Sequence, residues 1–153
     1  MPAREEAVVF LLDTDHIAII QRQTEPEFGR LAARMQQYPL TDFYVPIVSF
    51  HEQVAGWNAY INRATTLEAV VKAYRMYERI LADFACMQVL PFDAAAGRTF
   101  ESLRKQRVRI GTMDLRIAAT ALTRGFKLLS RNLIDFRKVP GLAVEDWTAA
   151  QHE

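Results

Sequence analysis

An unbroken apolar run near the start of the chain, Val8-Val9-Phe10-Leu11-Leu12, places the strongest constraint on the fold. The run contains β-branched residues, and Asp13-Thr14-Asp15 ends it at once. A strand that is apolar on both faces has to be covered on both faces, which is typical of a parallel strand in the middle of a sheet. The run therefore predicts a buried first strand with two aspartates just beyond its carboxyl end.

Short apolar segments farther along the chain alternate with stretches of helical spacing. Four of them predict further strands, at residues 44–48, 87–91, 127–130 and 142–144. Helices are predicted from about His16, from Pro26, from Ser49, from Thr66 to about Phe84, from Asp93, and from Thr112 to Gly125. Strands separated by helices indicate a largely parallel sheet of about five strands, and right-handed crossovers put helices on both of its faces. The sequence thus predicts a single α/β domain over residues 1–153.

The composition is that of a cytoplasmic globular protein. Half of the 153 residues are hydrophobic and 24% are charged, which is enough to fill a core and excludes a disordered chain. The single cysteine, Cys86, cannot form an intramolecular disulfide and is predicted to be a small core residue. No apolar run approaches the roughly 20 residues that span a bilayer, and the run before Asp13 is too short for a signal peptide. We therefore expect a cytoplasmic protein without a membrane partner.

Charge is unevenly distributed along the chain, although the net charge is only +1. Residues 98–153 contain 11 of the 19 basic side chains and only 6 of the 18 acidic ones. A basic region beside an acidic one is what a phosphate-binding surface next to a metal site requires. Solvated helix faces explain the same distribution, and charge alone favours that simpler interpretation.

Acidic and amide side chains follow the predicted strands, at the edge where ligands gather in parallel sheets. They are Asp13 and Asp15 after the first strand, Glu52 after the second, Asp114 in the helix before the fourth, and Asn132 and Asp135 after the fourth. Carboxylates that meet at one edge repel one another unless a cation lies between them. Hard oxygen ligands of this kind suit Mg²⁺ or Mn²⁺. Zinc is not expected, because the one cysteine and the three histidines show no ligand spacing.

Each of these residues also has a simpler local role. Asp13 or Asp15 suits a helix N-cap, and residues 49–52 match a capping box. Asp114 suits the first turn of a helix capped by Thr112, and Asp135 suits a turn. Taken singly, the local roles are favoured, but they do not explain why so many carboxylates converge on one edge.

Five segments, taken in order, resemble the PIN-domain family. They are FLLDTDH at 10–16, SFHE at 49–52, IGTMDLRIAA at 110–119, LLSRNLIDF at 128–136 and VPGLAVEDW at 139–147. The resemblance covers about residues 8–148, and the branch that it matches best is the VapC-like toxins of toxin–antitoxin systems. It implies a single PIN-like domain that acts as a Mg²⁺- or Mn²⁺-dependent endoribonuclease and hydrolyses RNA phosphodiester bonds.

The resemblance also implies roles for individual residues. The family's first three acids fall on Asp13, Glu52 and Asp114, which would be catalytic metal ligands, and the fourth position falls on Asn132 or on Asp135. Thr14 and Ser130 are expected to hold carboxylates in place. The arginines expected to bind RNA phosphates are Arg104, Arg109, Arg116 and Arg131. The stretch 105–109 is basic where the family usually has a glycine-bearing turn.

Partners follow from the same resemblance, since such toxins commonly form homodimers and are blocked by a small antitoxin whose tail enters the site groove. The predicted helices at 49–62 and 66–84 agree with a dimer, because they carry more apolar and aromatic side chains than one core needs. The second of these helices is predicted to bury one stripe. It consists of Leu67, Val70, Val71, Tyr74, Tyr77, Leu81 and Phe84.

Other functions fit parts of the sequence. Asp13-Thr14-Asp15 after a strand also matches haloacid-dehalogenase phosphatases, but those have Thr or Val where Ile17 stands and a later Gly-Asp pair that is absent here. A non-catalytic PIN-like binding module stays open, because Asn132 stands where an acid is often found. A receiver-like signalling domain is disfavoured, because no lysine is placed after a later strand.

Overall fold

The computed structural model describes residues 8–151, which contain five strands and seven helices. The strands are β1 (Phe10–Leu12), β2 (Phe43–Pro46), β3 (Val89–Leu90), β4 (Lys127–Leu129) and β5 (Val144–Glu145). The helices are α1 (Thr14–Arg22), α2 (Glu27–Met35), α3 (Ile47–Asn62), α4 (Leu67–Ala85), α5 (Ala94–Lys105), α6 (Thr112–Arg124) and α7 (Leu133–Phe136). A short 3₁₀ turn, Leu40–Asp42, precedes β2.

All the strand pairs are parallel, and the strands lie in the order β3-β2-β1-β4-β5. The strand predicted to be central, β1, lies in the middle, with Leu12 opposite Leu129 of β4. β2 and β3, which follow β1 in the sequence, lie on one side of it, and β4 and β5 lie on the other. The carboxyl ends of β1 and β4 therefore form the switch point of the sheet, where ligands bind in folds of this type.

Hydrophobic cores cover both faces of the sheet, as the apolar first strand predicts. Leu11 packs into the core under α5 and α6, whereas Phe10 and Leu12 pack into the core under α1, α2 and α4. All three side chains are buried, and burial of a large apolar side chain stabilises a fold by about 1.5–3 kcal/mol. The second core is completed by Trp147, whose ring centroid lies 4.7 Å from that of Phe10. The α/β class, the five strands and the helices on both faces are confirmed.

Several helix boundaries differ from those predicted. α1 begins at Thr14 rather than His16, because Asp13 is its N-cap. α3 begins at Ile47, directly after Pro46, so Ser49 lies buried inside its first turn and caps nothing. The capping-box interpretation of residues 49–52 is therefore wrong. α6 is capped by Gly111 and not by Thr112, which is its first residue.

The apolar stripe predicted to be buried on α4 lies largely on the surface. Leu67 is 79% exposed, Leu81 65% and Tyr74 58%, while the helix packs through Ala73, Ile80 and Phe84. Helical spacing reveals which residues share a face, but the small Ala73 decides which face approaches its neighbours. Cys86 was also wrongly predicted: it is exposed at the C-cap of α4.

Candidate metal centre

Asp13 stands directly at the carboxyl end of β1, where its amide still bonds to the Leu129 carbonyl of β4 at 2.9 Å. Its Oδ1 accepts the Thr14 amide at 2.8 Å, and its Oδ2 accepts the Ser130 hydroxyl at 2.7 Å. The side chain is 5% exposed. Burial, together with the negative charges of Asp15 and Asp114, raises the pKa of Asp13 to about 7.

Glu52 reaches the same point from the second turn of α3. Its Oε1 accepts the hydroxyl of Thr14 at 2.8 Å, and the same Thr14 oxygen lies 2.8 Å from the hydroxyl of Ser49. Burial raises the pKa of Glu52 above its ordinary value, and the charge of Asp114 adds to the effect. Thr14 therefore contacts one of the carboxylates that it is predicted to hold in place. Ser49 was not predicted to take part, and its place beside Thr14 depends on the early start of α3.

Asp114 lies in the first turn of α6 and faces the loop after β4. Its Oδ2 accepts a hydrogen bond from the side-chain Nδ2 of Asn132 at 3.3 Å, and the same nitrogen donates to Asp135 Oδ2 at 3.0 Å. Burial raises the pKa of Asp114, and the charge of Asp135 adds to it. The hydrogen bond from Asn132 and another from Lys138 lower the pKa of Asp135 instead. Asn132 also caps α7, the unpredicted short helix in which Asp135 lies.

Three carboxylates thus converge from β1, α3 and α6. One oxygen each of Asp13, Glu52 and Asp114 lies within 4.8 Å of the others. We call these three residues the carboxylate triad. None of the ion pairs within residues 8–151 involves a triad carboxylate, so no Lys, Arg or His nitrogen of these residues lies within 4.0 Å of one.

The donor set of the triad fits a hard divalent cation. Oxygen ligands at about 2.1 Å from one Mg²⁺ are at most about 4.2 Å apart, so small side-chain movements bring all three oxygens into its shell. The triad contains neither His nor Cys, which are the usual ligands of structural zinc sites. Asn132 and Asp135 border the triad but are not part of it.

Asp15 is held by groups from two parts of the chain, His16 and the residues after β4. Its Oδ2 accepts the Arg131 amide at 3.0 Å, and its Oδ1 lies 2.8 Å from Nδ1 of His16. His16 is fully buried, and its Nε2 accepts the amide of Trp147 at 3.2 Å. The imidazole therefore carries its proton on Nδ1 and donates it to Asp15. Sequence reasoning missed this chain of contacts, because His16 and Trp147 are 131 residues apart and no local spacing relates them.

The arginines expected to bind RNA lie in two places. Arg104, Arg109 and Arg116 line one cleft of about 810 Å³, together with Arg107. Gly111 and Asp135 also line this cleft. Arg131 follows β4 and is not among the residues that line the cleft. No helix within residues 8–151 has the length and apolar character needed to cross a membrane.

The protein is an α/β domain whose all-parallel sheet gathers three carboxylates at its switch point, and this cluster could hold a metal ion. The sequence profile described as PIN domain matches residues 10–142, and the chain belongs to the PIN-domain family. The family resemblance of the sequence segments is confirmed.

Known proteins of the family resemble the chain over most of its length. Ribonuclease VapC1 of Rickettsia felis is 30% identical over 138 residues, which are 88% of this chain and 92% of the relative. A tRNA(fMet)-specific endonuclease VapC of Shigella flexneri is 34% identical over 98 residues, 58% of this chain and 74% of that protein. A toxin–antitoxin complex from Klebsiella pneumoniae contains a chain of the same fold, with a TM-score of 0.62, 20% identity and coverage of 90% and 96%.

Proposed function

We propose that the protein is a Mg²⁺- or Mn²⁺-dependent endoribonuclease that hydrolyses RNA phosphodiester bonds. The observation that carries the proposal is the carboxylate triad. One oxygen of each residue lies within 4.8 Å of the others, and within residues 8–151 no ion pair involves a triad carboxylate. Carboxylates kept in mutual repulsion at a sheet edge destabilise a fold unless a cation binds there. RNA is the proposed substrate because the relatives from Rickettsia felis and Shigella flexneri carry the names ribonuclease and tRNA endonuclease.

Asp13 and Asp114 are proposed as direct ligands of the ion, and Glu52 as a ligand that binds directly or through water and orients the nucleophilic water. When bound, Mg²⁺ or Mn²⁺ neutralises phosphoryl charge and favours ionisation of the attacking water. Ser130 holds Asp13 at 2.7 Å and Thr14 holds Glu52 at 2.8 Å, so each carboxylate keeps one orientation before the ion arrives. This positioning lowers the entropy lost when the ion and the substrate bind.

Asn132 and Asp135 are both proposed for the fourth position of the site. Asn132 donates to Asp114 and Asp135 and so links the two carboxylates. Asp135 has Lys138 at 3.2 Å, which reduces its attraction for a cation. These contacts favour Asn132 as the residue that completes the site and Asp135 as a more distant contributor.

A homodimer and a small antitoxin are the proposed protein partners. The dimer is supported by the α4 stripe, where Leu67, Tyr74 and Leu81 are more than half exposed. Apolar side chains contiguous on one helix face are typical of a subunit interface. The antitoxin is proposed by analogy with the toxin–antitoxin complex of Klebsiella pneumoniae. Light scattering tests the dimer: we expect twice the mass of one chain at micromolar concentration, and a monomer throughout would contradict the proposal.

Cleavage of a mixed RNA pool that includes initiator tRNA tests the enzymatic proposal. We expect products with Mg²⁺ or Mn²⁺, none with EDTA, and none from a Glu52→Gln variant that is folded. Metal-dependent stabilisation without cleavage of any RNA would instead favour the non-catalytic binding module. The phosphatase alternative is no longer supported, because the chain belongs to the PIN-domain family.

A further inference from the structure

His16 is fully buried in the first turn of α1, three residues after Asp13, and the proposed chemistry makes no use of it. Both of its ring nitrogens are engaged. Nδ1 lies 2.8 Å from Oδ1 of Asp15, and Nε2 accepts the backbone amide of Trp147 at 3.2 Å. A buried imidazole that is bonded on both sides keeps one orientation, so its hydrogen bonds have a fixed direction.

The amide of Trp147 determines which ring nitrogen carries the proton. A backbone amide only donates, so Nε2 accepts and the proton lies on Nδ1. The carboxylate of Asp146 lies 3.8 Å from Nε2, which is too far for a hydrogen bond. Trp147 itself is held firmly, because its ring packs 4.7 Å from that of Phe10 and its Nε1 donates to Glu145 at 2.8 Å. The imidazole therefore presents its N–H to Asp15.

Asp15 lies between this imidazole and the loop after β4. Its Oδ1 accepts the Nδ1 proton of His16, and its Oδ2 accepts the amide of Arg131 at 3.0 Å. The hydroxyl oxygen of Ser130 lies farther from the same Oδ2, at 3.3 Å. Each carboxylate oxygen of Asp15 thus has an N–H donor, and Asp15 is satisfied without the hydroxyl proton of Ser130.

Ser130 has one hydroxyl proton and two carboxylates within reach. Its Oγ lies 2.7 Å from Oδ2 of Asp13 and 3.3 Å from Oδ2 of Asp15, and it accepts the amide of Asn132 at 3.0 Å. The shorter distance assigns the proton to Asp13. Without the N–H of His16, however, Asp15 would be a partly buried carboxylate with one donor fewer, and it would compete for the same proton.

We propose that His16 is a positioning residue of the metal centre. By donating to Asp15, it leaves the hydroxyl proton of Ser130 to Asp13 and so holds Asp13 in the orientation in which it meets the cation. His16 acts through Asp15 and Ser130 and contacts no triad carboxylate itself. The inference rests on the proposed metal-dependent function, and it gives the segment around Trp147 a part in the site, since its amide sets the direction of the imidazole.

Two variants of His16, compared by calorimetric titration with Mn²⁺, separate positioning from packing. The amide of asparagine takes the place of Nδ1, so His16→Asn keeps a donor for Asp15. The amide of glutamine takes the place of Nε2, so His16→Gln keeps an acceptor for Trp147 and loses that donor. His16→Gln is expected to lower Mn²⁺ affinity by about tenfold, as loss of a group that orients a metal ligand does. His16→Asn should recover most of this loss, although both variants are less stable than wild type.

Thr148→Val is the matched control for a loss of stability alone. Thr148 is buried close to His16 in sequence order of the same segment as Trp147, and its hydroxyl donates to Asp146 at 2.6 Å rather than to Asp15 or Ser130. The variant is expected to unfold at a lower temperature and to bind Mn²⁺ with wild-type affinity. A loss of affinity that follows the loss of stability in all three variants would mean that His16 only packs, and would overturn the inference.

A double-mutant cycle with Ser130→Ala tests the route through the hydroxyl. If His16 acts through Ser130, His16→Gln lowers Mn²⁺ affinity much less in the Ser130→Ala background than in wild type. Fully additive losses would contradict the route. ¹⁵N NMR of wild-type protein in EDTA tests the tautomer without any variant: we expect the proton of His16 on Nδ1, and a proton on Nε2 would overturn the inference.

Cleavage of RNA, measured on the same proteins, distinguishes this inference from the enzymatic proposal. If Mn²⁺ affinity changes as expected but the wild type cleaves no RNA, the proposed endoribonuclease function fails and the role of His16 stands. If the wild type cleaves RNA and His16→Gln binds Mn²⁺ as tightly as the wild type, the function stands and the role of His16 is wrong.

Discussion

Asp13 and Asp93 each follow a strand of the sheet and cap the helix that comes next. Asp13 accepts the Thr14 amide at 2.8 Å, and Asp93 accepts the Ala96 amide at 2.9 Å. Their electrostatic surroundings are opposite. Burial raises the pKa of Asp13 to about 7, whereas the Ala96 hydrogen bond and the Arg124 guanidinium, 3.2 Å away, hold the pKa of Asp93 below its usual range.

The comparison shows that a capping role and a functional role are compatible. Each aspartate uses one carboxylate oxygen to cap its helix, and its second oxygen contacts a group that the tertiary structure places beside it. For Asp93 that is a cation at the surface, and for Asp13 it is Ser130 beside two other carboxylates. Local sequence therefore identifies both residues as caps, and only the strand order distinguishes them.

The largest expected effect is the loss of RNA cleavage in Asp13→Asn. Asparagine caps a helix about as well as aspartate but removes the negative charge of a metal ligand. The contribution of a bound ion to transition-state stabilisation is several kcal/mol, so the rate should fall by about a hundredfold to a thousandfold or more. The measurement is the rate of cleavage of an RNA pool in Mg²⁺. Asp93→Asn is the matched control and should cleave at the wild-type rate; equal activity of the two variants would disprove the assignment of Asp13.

The second effect is on the pH dependence of the stability of the metal-free protein, measured in EDTA. The pKa of Asp13 is about 7 in the folded protein against an ordinary 3.8, so between these values the folded protein holds a proton that the unfolded chain has lost. The contribution of Asp13 to stability is therefore full below about pH 4 and is lost as the pH rises to about 7, by up to roughly 4 kcal/mol. Asp13→Asn should remove this fall and be more stable than wild type at pH 8, as measured by urea unfolding.

Asp93→Asn should change stability in the opposite sense. Because the pKa of Asp93 is lowered by folding, its carboxylate stabilises the protein above its unfolded pKa and loses this contribution as the pH falls. The variant should be slightly less stable than wild type at pH 8. A gain in stability for both variants would mean that charge repulsion is general and not confined to the triad.

A smaller effect is expected from Thr14→Val, which keeps the shape of the side chain and removes the donor to Glu52. Loss of a group that orients a metal ligand typically costs about tenfold to a hundredfold in affinity or activity. Mn²⁺ affinity by calorimetry and the cleavage rate should fall together. Thr14→Ser restores the hydroxyl and should recover most of both; if it does not, the methyl group of Thr14 and not its hydrogen bond is what matters.

The smallest effect is expected at Asp135. Asp135→Asn should reduce cleavage less than about tenfold, whereas Asn132→Ala should reduce it by about tenfold to a hundredfold, because Asn132 contacts Asp114 directly. Cleavage rates at saturating Mg²⁺ decide between them. A larger loss in Asp135→Asn would reassign the fourth position to Asp135.

Much of the fold and of the site around Asp13 could be predicted from the sequence, because a continuous apolar run followed by acids predicts a buried parallel strand and a site at its carboxyl end. The strand ends marked Asp13, Glu52 and Asp114 among six candidate residues, and the resemblance to the PIN-domain family implied the choice of these three. The features that could not be predicted depend on how the helices and strands pack against one another. The face of α4 that is exposed was predicted to be buried. The spacing of Leu67, Tyr74 and Leu81 shows that they share one apolar face, but not whether that face packs against the core. The place of Ser49 beside Thr14 and the contact of His16 with Trp147 also arise only in the folded chain.

The hydrogen bond from Ser130 to Asp13 joins residues 117 positions apart, and the one from Trp147 to His16 joins residues 131 positions apart. A chain made from its N-terminus on a ribosome exposes β1 early, but its partner β4 emerges only after about five-sixths of the 153 residues have been added. Contacts this distant in sequence form late, because closing so long a loop costs entropy before any contact repays it. Asp13 and Glu52 are therefore synthesised long before β4, and Asp114 only 13 residues before it, so the triad is assembled only after β4 has been made.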